Sequence, residues 1–415
     1  MSNVSFLLGA GFSVPAGYPT AYDVSQKLLA YDSRYIYAAM DGLYHIRKEL
    51  FEVDEQFFQR EYDRMGWNGE SADWKEGALM LEVMIECYRQ DIDALLSNYE
   101  SLYDFIMDFR SEEVSVIDRT LAVAKQIGAS ERKVLDRYWQ SWLGNFENYK
   151  NTNTGRSQWY NAIRHSVLCF DFLINSIINN LKNGNSFAYN NLVSFVNEIS
   201  DGKIFFHTLN HDTLLESIMS DNSLPCDDGF EVGNYYSHES PIMACFSGKY
   251  TERIRLYKLH GSVNYWNYYY VINGRGTNTN VVAKHNGIDA HSHYIYDKDK
   301  AQIMAENSAL ILSGASTKIK RYNGPLVSEL IPLFKDNIRS SDLVIVVGYG
   351  FMDSIINEII DVNVLQDETK NVIVVGWGNE PDFLVSRGLP NERVKFHPEG
   401  IAAYDFIDAT ELLRS

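Results

Sequence analysis

Cysteine and basic residues are scarce in this sequence. Its 415 residues include 4 cysteines, Cys87, Cys169, Cys226 and Cys245, and no C-x-x-C pair. A disulfide scaffold and a zinc ribbon both need closely spaced cysteines, so neither is expected. Lys and Arg number 37 against 55 Asp and Glu, which gives a formal net charge of −18. Because binding a nucleic-acid backbone over a broad surface requires clustered cations, the chain itself is not expected to do so. A local basic patch or a basic partner protein remains open.

Long apolar runs are missing as well. A membrane helix needs roughly 18 consecutive apolar residues, and no stretch approaches that length. The opening MSNVSFLLGAGFSVPAG has neither a basic segment nor a long apolar one, so we expect no signal peptide and a soluble, cytoplasmic protein. Because 45% of the residues are hydrophobic and 13% aromatic, the chain can build substantial cores. Its length predicts two or three domains, or one large core with an insertion.

The apolar pattern predicts a parallel sheet interrupted by a block of helices. The first apolar run, Val4–Leu8, leads directly into a glycine turn, which is typical of the opening of a nucleotide-binding α/β unit. From about Ala21 to Ser200, apolar residues repeat mostly at three- and four-residue steps, which predicts helices. Apolar runs and helical patterns then alternate, as parallel strands and crossover helices do. Strands are predicted at Lys203–Thr208, Ile254–Leu259, Leu343–Val347 and Val372–Val375, and helices at Thr213–Met219, Leu326–Ile338, Ser354–Ile360 and Ala402–Leu413.

We therefore expect an α/β fold with a doubly wound, parallel, Rossmann-like sheet and a large inserted helical subdomain. In this interpretation residues 1–24 and 200–415 form the sheet-bearing core, and residues 25–199 form the insertion. The stretch from Gly261 to Ala309 is rich in Asn, Tyr, Gly and His and is expected to form loops or a small hairpin. An apolar stripe from Leu81 to Ile106 predicts packing inside the insertion's own bundle, with self-association as the alternative.

Glycine turns follow several of the predicted strands. Gly9-Ala10-Gly11-Phe12-Ser13 could bring backbone N–H groups close to the pyrophosphate of a dinucleotide, ahead of a helix N-terminus. The spacing departs from the usual fingerprint, because Val14 stands in the place of the third glycine, and a glycine can also end a strand for steric reasons alone. Further turns occur at Ser313–Ser316, Gly348–Asp353 and Gly376–Gly378. Turns at the carboxyl ends of several parallel strands predict one extended ligand cleft.

Polar side chains follow two other predicted strands. Asn210 and Asp212 could fix a sugar hydroxyl and oppose a developing positive charge, or they could simply cap the next helix. Local features alone favour capping. His260, after the following strand, could accept a proton from a hydroxyl or from water, or it could be only a turn residue. Three further histidines lie in a polar stretch without cysteine or a clear acidic pattern, so no metal site is expected there. They are His285, His291 and His293.

Four short motifs, taken in their order, resemble the sirtuin-like family. They are GAGFS at residues 9–13, TLNHD at residues 208–212, KLHGS at residues 258–262 and VVGYGFMD at residues 346–353. The resemblance covers roughly the first 24 residues and residues 200–380, and it leaves out the helical insertion. The segment GYGFMDSIIN and the long insertion are similar to the bacterial antiphage branch, whose members hydrolyse NAD. Size and organisation also resemble the sirtuin-like subunit that is encoded beside a HerA-type ATPase.

The resemblance implies NAD-binding positions on the glycine turns. Ala10, Gly11 and Ser13 match the phosphate-binding turn of the family. Gly348 begins the late turn near the adenosine half, and Gly314 is a softer match on the turn before it. Two departures distinguish the chain from deacetylating sirtuins. Tyr18-Pro19-Thr20-Ala21 stands where those proteins have Pro-Asp-Phe-Arg, and the four zinc-ribbon cysteines are missing. Both departures weaken the case for protein deacetylation and leave NAD chemistry intact.

The resemblance also implies the catalytic residues of an NAD glycohydrolase, which releases nicotinamide through an oxocarbenium-like ribose. Asn210 would orient the ribose hydroxyls or the attacking water, Asp212 would hold the nicotinamide end, and His260 would act as a general base. NAD is the expected substrate, and no metal is expected.

The expected role is depletion of NAD in antiphage defence, by a homo-oligomer that has a HerA-type ATPase as its partner and binds neither nucleic acid nor membrane directly. The alternatives are an NAD-dependent protein deacylase, or a non-catalytic NAD or ADP-ribose sensor and assembly subunit.

Overall fold

In the computed structural model, part of the chain is described and the remainder is not. Gly314, His285, His291 and His293 lie outside the described residues, as do Ile92, Leu95 and Leu96 of the apolar stripe. The described residues are 2–32, 36–38, 44–46, 69–91, 99–108, 114–130, 137–147, 153–180, 186–232, 236–237, 244–272, 275–284, 294–296, 302–305, 310–311, 325–390 and 392–414.

The chain divides into two compact units. The first, the sheet unit, comprises residues 1–20, 181–312 and 317–415. The second, the helical unit, comprises residues 21–180 and 313–316. Every predicted site residue that is described lies in the sheet unit.

The described strands are numbered in chain order. They are β1 (Val4–Leu8), β2 (Ile36–Ala38), β3 (Tyr44–Ile46), β4 (Ile204–Thr208), β5 (Cys226–Asp227), β6 (Phe230–Val232), β7 (Tyr236–Ser237), β8 (Ala244–Phe246), β9 (Ile254–Lys258), β10 (Tyr265–Ile272), β11 (Arg275–Lys284), β12 (Tyr294–Tyr296), β13 (Gln302–Ala305), β14 (Leu343–Val347), β15 (Asn371–Val375) and β16 (Val394–His397).

The described α-helices are numbered in the same way, and short 3₁₀ turns occur at Val14–Ala16 and Ser186–Tyr189. The helices are α1 (Ala10–Ser13), α2 (Ala21–Leu29), α3 (Gly69–Asp91), α4 (Tyr99–Asp108), α5 (Val114–Gly128), α6 (Arg137–Phe146), α7 (Asn153–Asn180), α8 (Asn190–Glu198), α9 (Leu214–Asp221), α10 (Pro325–Ser340), α11 (Ser354–Ile360), α12 (Asp382–Val385) and α13 (Ile407–Arg414).

A seven-stranded parallel sheet organises the sheet unit. Its strand order is β16-β15-β14-β1-β4-β9-β5, and every neighbouring pair is parallel. Strands β1, β4 and β14 are buried along their whole length. Parallel strands that are covered on both faces read as unbroken apolar runs, which is why the sequence locates them well. The predicted α/β class with a doubly wound parallel sheet is confirmed.

The strand order reverses beside β1. Strands β4 and β9, which come next in this sheet after the helical unit, add on one side of β1, and β14, β15 and β16 add on the other side. In open α/β sheets, ligands bind outside the carboxyl ends of the strands at such a reversal. The reversal here lies between β1 and β14, so the loops that begin at Gly9 and Gly348 flank it.

The region from Gly261 to Ala309 is more regular than predicted. Its described residues include an antiparallel hairpin of β10 and β11, paired from Tyr265 with Lys284 to Ile272 with Arg275. This hairpin belongs to a second, antiparallel sheet in the order β6-β8-β11-β10-β13-β12-β7. The expectation of loops or a small hairpin was wrong in extent. Several of these strands pair with chain segments far away in sequence, and a local pattern carries no trace of such pairing.

Aromatic and long aliphatic side chains form the core of the helical unit. Trp142 stacks on Phe146 with ring centroids 5.0 Å apart, and Phe146 stacks on Trp159 at 5.4 Å. The described residues of the apolar stripe are buried, in agreement with packing inside the bundle. They are Leu81, Met84, Ile85, Tyr88, Leu102, Tyr103 and Ile106, with Tyr99 partly buried.

The described residues lack the signatures of a membrane span and of a metal site. Within these ranges no helix is long and apolar enough to cross a membrane. The same part of the chain holds no group of three or more His, Cys, Asp or Glu side chains placed to bind a metal ion. All four cysteines are described, and none of them forms a disulfide.

A buried histidine in the central sheet couples stability to pH. His207 Nδ1 lies 3.1 Å from the carbonyl oxygen of Phe6, which can only accept, so Nδ1 carries the proton. Its Nε2 therefore accepts from Asn337 Nδ2 at 3.1 Å. Burial lowers the pKa of His207 from 6.5 to about 3, so the folded chain keeps this ring neutral.

We expect this histidine to make the fold sensitive to acid. Below about pH 6.5 the unfolded chain binds a proton at His207 that the folded chain does not bind until about pH 3. The free energy of unfolding should therefore fall by about 2 kcal/mol between pH 7 and pH 5 through this group. Urea unfolding at both pH values measures the loss. His207→Gln can make the same two hydrogen bonds without titrating, so its loss should be smaller by that amount; equal losses would contradict the assignment.

Candidate active site

Four loops lie side by side at the carboxyl edge of the parallel sheet. They follow β14, β1, β4 and β9, which are consecutive neighbours in the sheet. Backbone hydrogen bonds continue the ladder into these loops: Gly9 N–H donates to Val347 O, Leu209 N–H to Leu8 O and Leu259 N–H to Thr208 O, each at 2.9 Å. The four motifs found in the sequence are therefore adjacent in space, although they are separated along the chain.

The turns after β1 and β14 pack backbone against backbone. Gly11 N–H donates to Gly348 O at 2.9 Å. A Cβ on Gly348 would lie 2.3 Å from Phe12 N, and one on Gly11 would lie 2.7 Å from Gly348 Cα. Gly348 also has a positive φ of 60°. Both positions therefore require glycine because the two turns touch, whether or not a ligand approaches them.

Most backbone N–H groups of the first turn already donate within the protein, so fewer of them can bind a phosphate. The amides of Gly9, Gly11 and Phe12 all donate to carbonyl groups of the protein itself. Ala10 is exposed, and its N–H donates to no backbone carbonyl of the described residues. A role of this turn in holding pyrophosphate stays a prediction, and the Ala10 amide is its best donor.

Asn210 links the first turn to the loop after β4. Its Nδ2 donates to Gly9 O and to Ser13 Oγ, both at 2.9 Å. Because a carbonyl oxygen can only accept, this contact fixes which end of the amide faces the turn. Oδ1 points the other way and accepts no hydrogen bond from the described residues. Asn210 is 9% exposed, so a held amide presents one acceptor at this edge of the sheet.

Asp212 completes this chain of hydrogen bonds. Ser13 Oγ donates to Asp212 Oδ2 at 2.7 Å, and Leu214 N–H donates to Oδ1 at 3.0 Å. Both carboxylate oxygens thus have a partner within the protein, one of them at the start of α9. Burial raises the pKa of Asp212, while Lys258 and the bond from Ser13 act in the opposite direction. These contacts favour a positioning role for Asp212: it holds the Ser13 hydroxyl, and that hydroxyl holds the Asn210 amide.

Lys258 is a buried cation behind this network. Its ammonium group donates to the carbonyl oxygen of Asp212 and pairs with Glu216 Oε1 at 2.9 Å. The Lys258 side chain is fully buried, and an unpaired charge there would be costly. Lys258 therefore fixes the backbone at Asp212 against the loop that carries His260.

His260 faces a carboxylate from the late turn. Its Nε2 lies 3.2 Å from Asp353 Oδ2, and the two side chains are only 6% and 8% exposed. The ring of His211 lies 6.3 Å from that of His260. A carboxylate beside an imidazole orients the ring and stabilises its protonated form, which are the properties that a general base needs.

The structure thus brings most of the predicted residues together. Ser13, Asn210 and Asp212 form one hydrogen-bonded chain, and Gly11 and Gly348 touch through their backbones. His260 lies on the neighbouring loop, after β9.

Two contributors to the site lie within the motifs but were assigned no role of their own in the sequence interpretation. Lys258 ends an apolar strand, and a charge in such a place needs a partner, so this signal could have been used. Asp353 precedes a predicted helix, where aspartate is typical of an N-cap. Nothing in the local sequence indicates that it reaches His260.

Comparisons with known proteins agree with this arrangement in part. Residues 204–388 match the family model described as a SIR2-like domain. The match includes β4, β9, β14 and their loops, but not the first turn. No curated protein matches the chain. Among solved structures, the one described as "Structure of Sir2Tm bound to a propionylated peptide" is 11% identical with a TM-score of 0.32, covering 99% of this chain and 93% of that one. A likeness that weak carries no argument.

The family match and the parallel sheet together determine how far the protein can be identified. The loops that carry Asn210, His260 and Gly348 all fall inside the matched residues, and with β1 their strands are consecutive neighbours in the sheet. Residues 204–388 are therefore similar to a SIR2-like domain, and a similarity of this kind indicates an NAD-related activity.

Proposed function

We propose that the protein is an NAD glycohydrolase that cleaves NAD to nicotinamide and ADP-ribose. The observation that carries the proposal is an anchored amide, Asn210, on the loop next to a histidine that is held by a carboxylate, His260. A binding protein or an assembly subunit needs neither a fixed amide acceptor nor a proton acceptor at the carboxyl edge of the sheet. The SIR2-like match over residues 204–388 supports NAD as the substrate.

In the proposed reaction, water adds to the ribose carbon that carries nicotinamide. The bond between that carbon and the pyridinium nitrogen breaks, and its electron pair neutralises the leaving nicotinamide. Asn210 Oδ1 accepts a hydrogen bond from the attacking water or from a ribose hydroxyl. His260 takes the proton that the water loses and later returns it to solvent. General-base assistance of this kind contributes about 10²–10⁴-fold in rate.

The remaining predicted residues hold this geometry in the proposal. Ser13 and Asp212 keep the Asn210 amide from rotating, because they fix the oxygen to which it donates. Asp212 also lies at the nicotinamide end, as the family resemblance implies. The turn at Ala10 and the late turn at Gly348 bind the pyrophosphate and the adenosine half, together with Gly314.

The test of this proposal is the release of nicotinamide from NAD by the purified full-length protein. Equimolar nicotinamide and ADP-ribose, formed without any added peptide, would support hydrolysis. Loss of the acyl group from an acyl-lysine peptide, seen only when NAD is also present, would instead support the deacylase alternative. Heat of NAD binding in a calorimeter without nicotinamide release would support a sensor and contradict the proposal.

We also propose that NAD depletion serves antiphage defence and is controlled by assembly. Residues 1–24 and 200–415 would be the NAD-binding core, and residues 25–199 would restrain it within a homo-oligomer or beside a HerA-type ATPase. An unrestrained NAD hydrolase would deplete its own cell, and a net charge of −18 suits a chain that leaves nucleic acid to its partner. Light scattering, paired with NAD turnover with and without the ATPase, tests this control. A fully active monomer that ignores the ATPase would contradict it and leave the chemistry untouched.

A further inference from the structure

Asp353 makes two different contacts with its two carboxylate oxygens. Oδ1 accepts from the backbone N–H groups of Ile355 and Ile356, at 3.0 and 3.2 Å, and so caps α11. Oδ2 lies 3.2 Å from His260 Nε2. The capping contacts need only one oxygen, and an asparagine or a serine could make them equally well. The second oxygen therefore calls for an explanation that capping does not provide.

The placement of Asp353 is fixed by its surroundings. Tyr349 OH accepts from Asp353 N–H at 3.2 Å and donates to Asn357 Oδ1 at 2.8 Å. Asn357 Nδ2 in turn donates to the carbonyl oxygen of Phe351 at 2.7 Å, where the backbone takes a positive φ of 53°. A non-glycine residue at such a φ is uncommon, and these side-chain bonds hold the turn that delivers the carboxylate to His260.

We propose that Asp353 is the positioning residue of His260, in a carboxylate–histidine pair that sets which ring nitrogen carries the proton. The proposal rests on the proposed function for its consequence in catalysis. Oδ2 accepts from Nε2–H, so the ring is held in one orientation and one tautomer, and its protonated form is stabilised as the proton arrives. The pair joins the loop after β9 to the loop after β14, and it therefore forms only when both loops are in place.

Asp353→Asn is the most informative variant. It keeps the cap of α11 but places a hydrogen-bond donor, in place of an acceptor, against His260 Nε2. The asparagine Oδ1 still accepts from the helix, while an NH₂ group faces Nε2 and forces the proton to the other ring nitrogen. In hydrolases built on a carboxylate–histidine pair, such a change costs about 10⁴-fold in kcat. We expect a loss of at least about 10²-fold in kcat for NAD, with KM changed by only a few-fold.

Two further variants separate positioning from capping. Asp353→Ser still caps α11 but is too short to reach His260, so it should also lose turnover while it keeps its melting temperature. Asp405→Asn is the matched control, because Asp405 Oδ1 accepts from Ile407 N–H at 3.1 Å ahead of α13. This control should keep wild-type turnover.

A readout that does not depend on NAD completes the test. In protein labelled with ¹³C at the histidine ring, the His260 signal is identified by its absence in His260→Gln. In Asp353→Asn this signal should titrate at a lower pH than in the wild type, because the neighbouring negative charge is gone. The neighbouring ring of His211, 6.3 Å away, is the same in both proteins.

The outcomes separate the two proposals. Lost turnover together with a shifted His260 titration supports positioning. Unchanged turnover in folded Asp353→Asn, or lost turnover with an unshifted titration, would overturn it. If the wild-type protein releases no nicotinamide, the proposed function fails. The titration alone then decides whether Asp353 and His260 form the pair.

Discussion

Replacing Asn210 or His260 with alanine is expected to reduce NAD hydrolysis by at least about 10²-fold and to leave the protein folded. Asn210→Ala removes the acceptor Oδ1 and the two bonds that hold the amide against the first turn. His260→Ala removes the proton acceptor and leaves the Asp353 carboxylate without its imidazole partner. Both residues lie on strand-end loops and not in the apolar core, so the parallel sheet should form without them.

The measurement is nicotinamide release under conditions where the wild type is active, beside circular dichroism and thermal unfolding. Asn191→Ala is a suitable control, because Asn191 Nδ2 also donates to a backbone carbonyl, that of Tyr404, at 3.0 Å. Its bond ties α8 to the segment before α13, and turnover should be unaffected. If a folded Asn210→Ala or His260→Ala protein turns over NAD at the wild-type rate, the assigned mechanism is wrong.

The sequence predicted the parallel strands well because their signal is local. Val4–Leu8 and Leu343–Val347 were predicted with the same bounds that the structure has. Both are apolar at every position or nearly so, and burial on both faces makes that pattern independent of which strand lies alongside. The bounds of the closing helix were less accurate. It begins at Ile407 and not at Ala402, because Asp405 accepts the Ile407 N–H and marks the start.

The second sheet could not be predicted in the same way. The run Tyr265–Ile272 is YWNYYYVI, which lacks the clean alternation of apolar and polar residues that marks a half-buried strand. Its partners include β11, which is next in the chain, and β13, which is further away. Only the full set of pairings makes this segment a strand, and pairings are a property of the folded chain.

The motifs predicted which loops would meet, but not the contacts within them. Their order along the chain placed the residues at strand ends, and the reversal between β1 and β14 then brings those ends together. The sequence could not indicate that Asp353 reaches His260, since the two belong to loops whose strands are separated by β1 and β4 in the sheet. Nor could it show that Gly11 and Gly348 face each other.

Gly348→Ala is expected to destabilise the protein by about 2–5 kcal/mol, the sum of two costs. A left-handed backbone costs a non-glycine residue roughly 1–2 kcal/mol, and forcing an extra methyl group into a packed site costs roughly 1–3 kcal/mol further. Gly348 has a φ of 60°, and its Cβ would lie 2.3 Å from Phe12 N and 2.4 Å from Gly11 C, both in the backbone of the first turn. Backbone atoms cannot rotate away as a side chain can, so one of the two turns must move.

Alanine variants of two other glycines separate the conformational cost from the cost of packing the extra methyl group. Gly388 has a φ of 56° with nothing within 4 Å of its Cβ, so Gly388→Ala should cost only the conformational part, roughly 1–2 kcal/mol. Gly350 lies in the late turn itself, and its Cβ would meet only Met352 Cγ at 3.8 Å, so Gly350→Ala should be nearly neutral. Urea unfolding of the three variants gives the comparison directly. If Gly348→Ala is no less stable than Gly388→Ala, then the turns after β1 and β14 do not touch, and their glycines must be explained by a ligand alone.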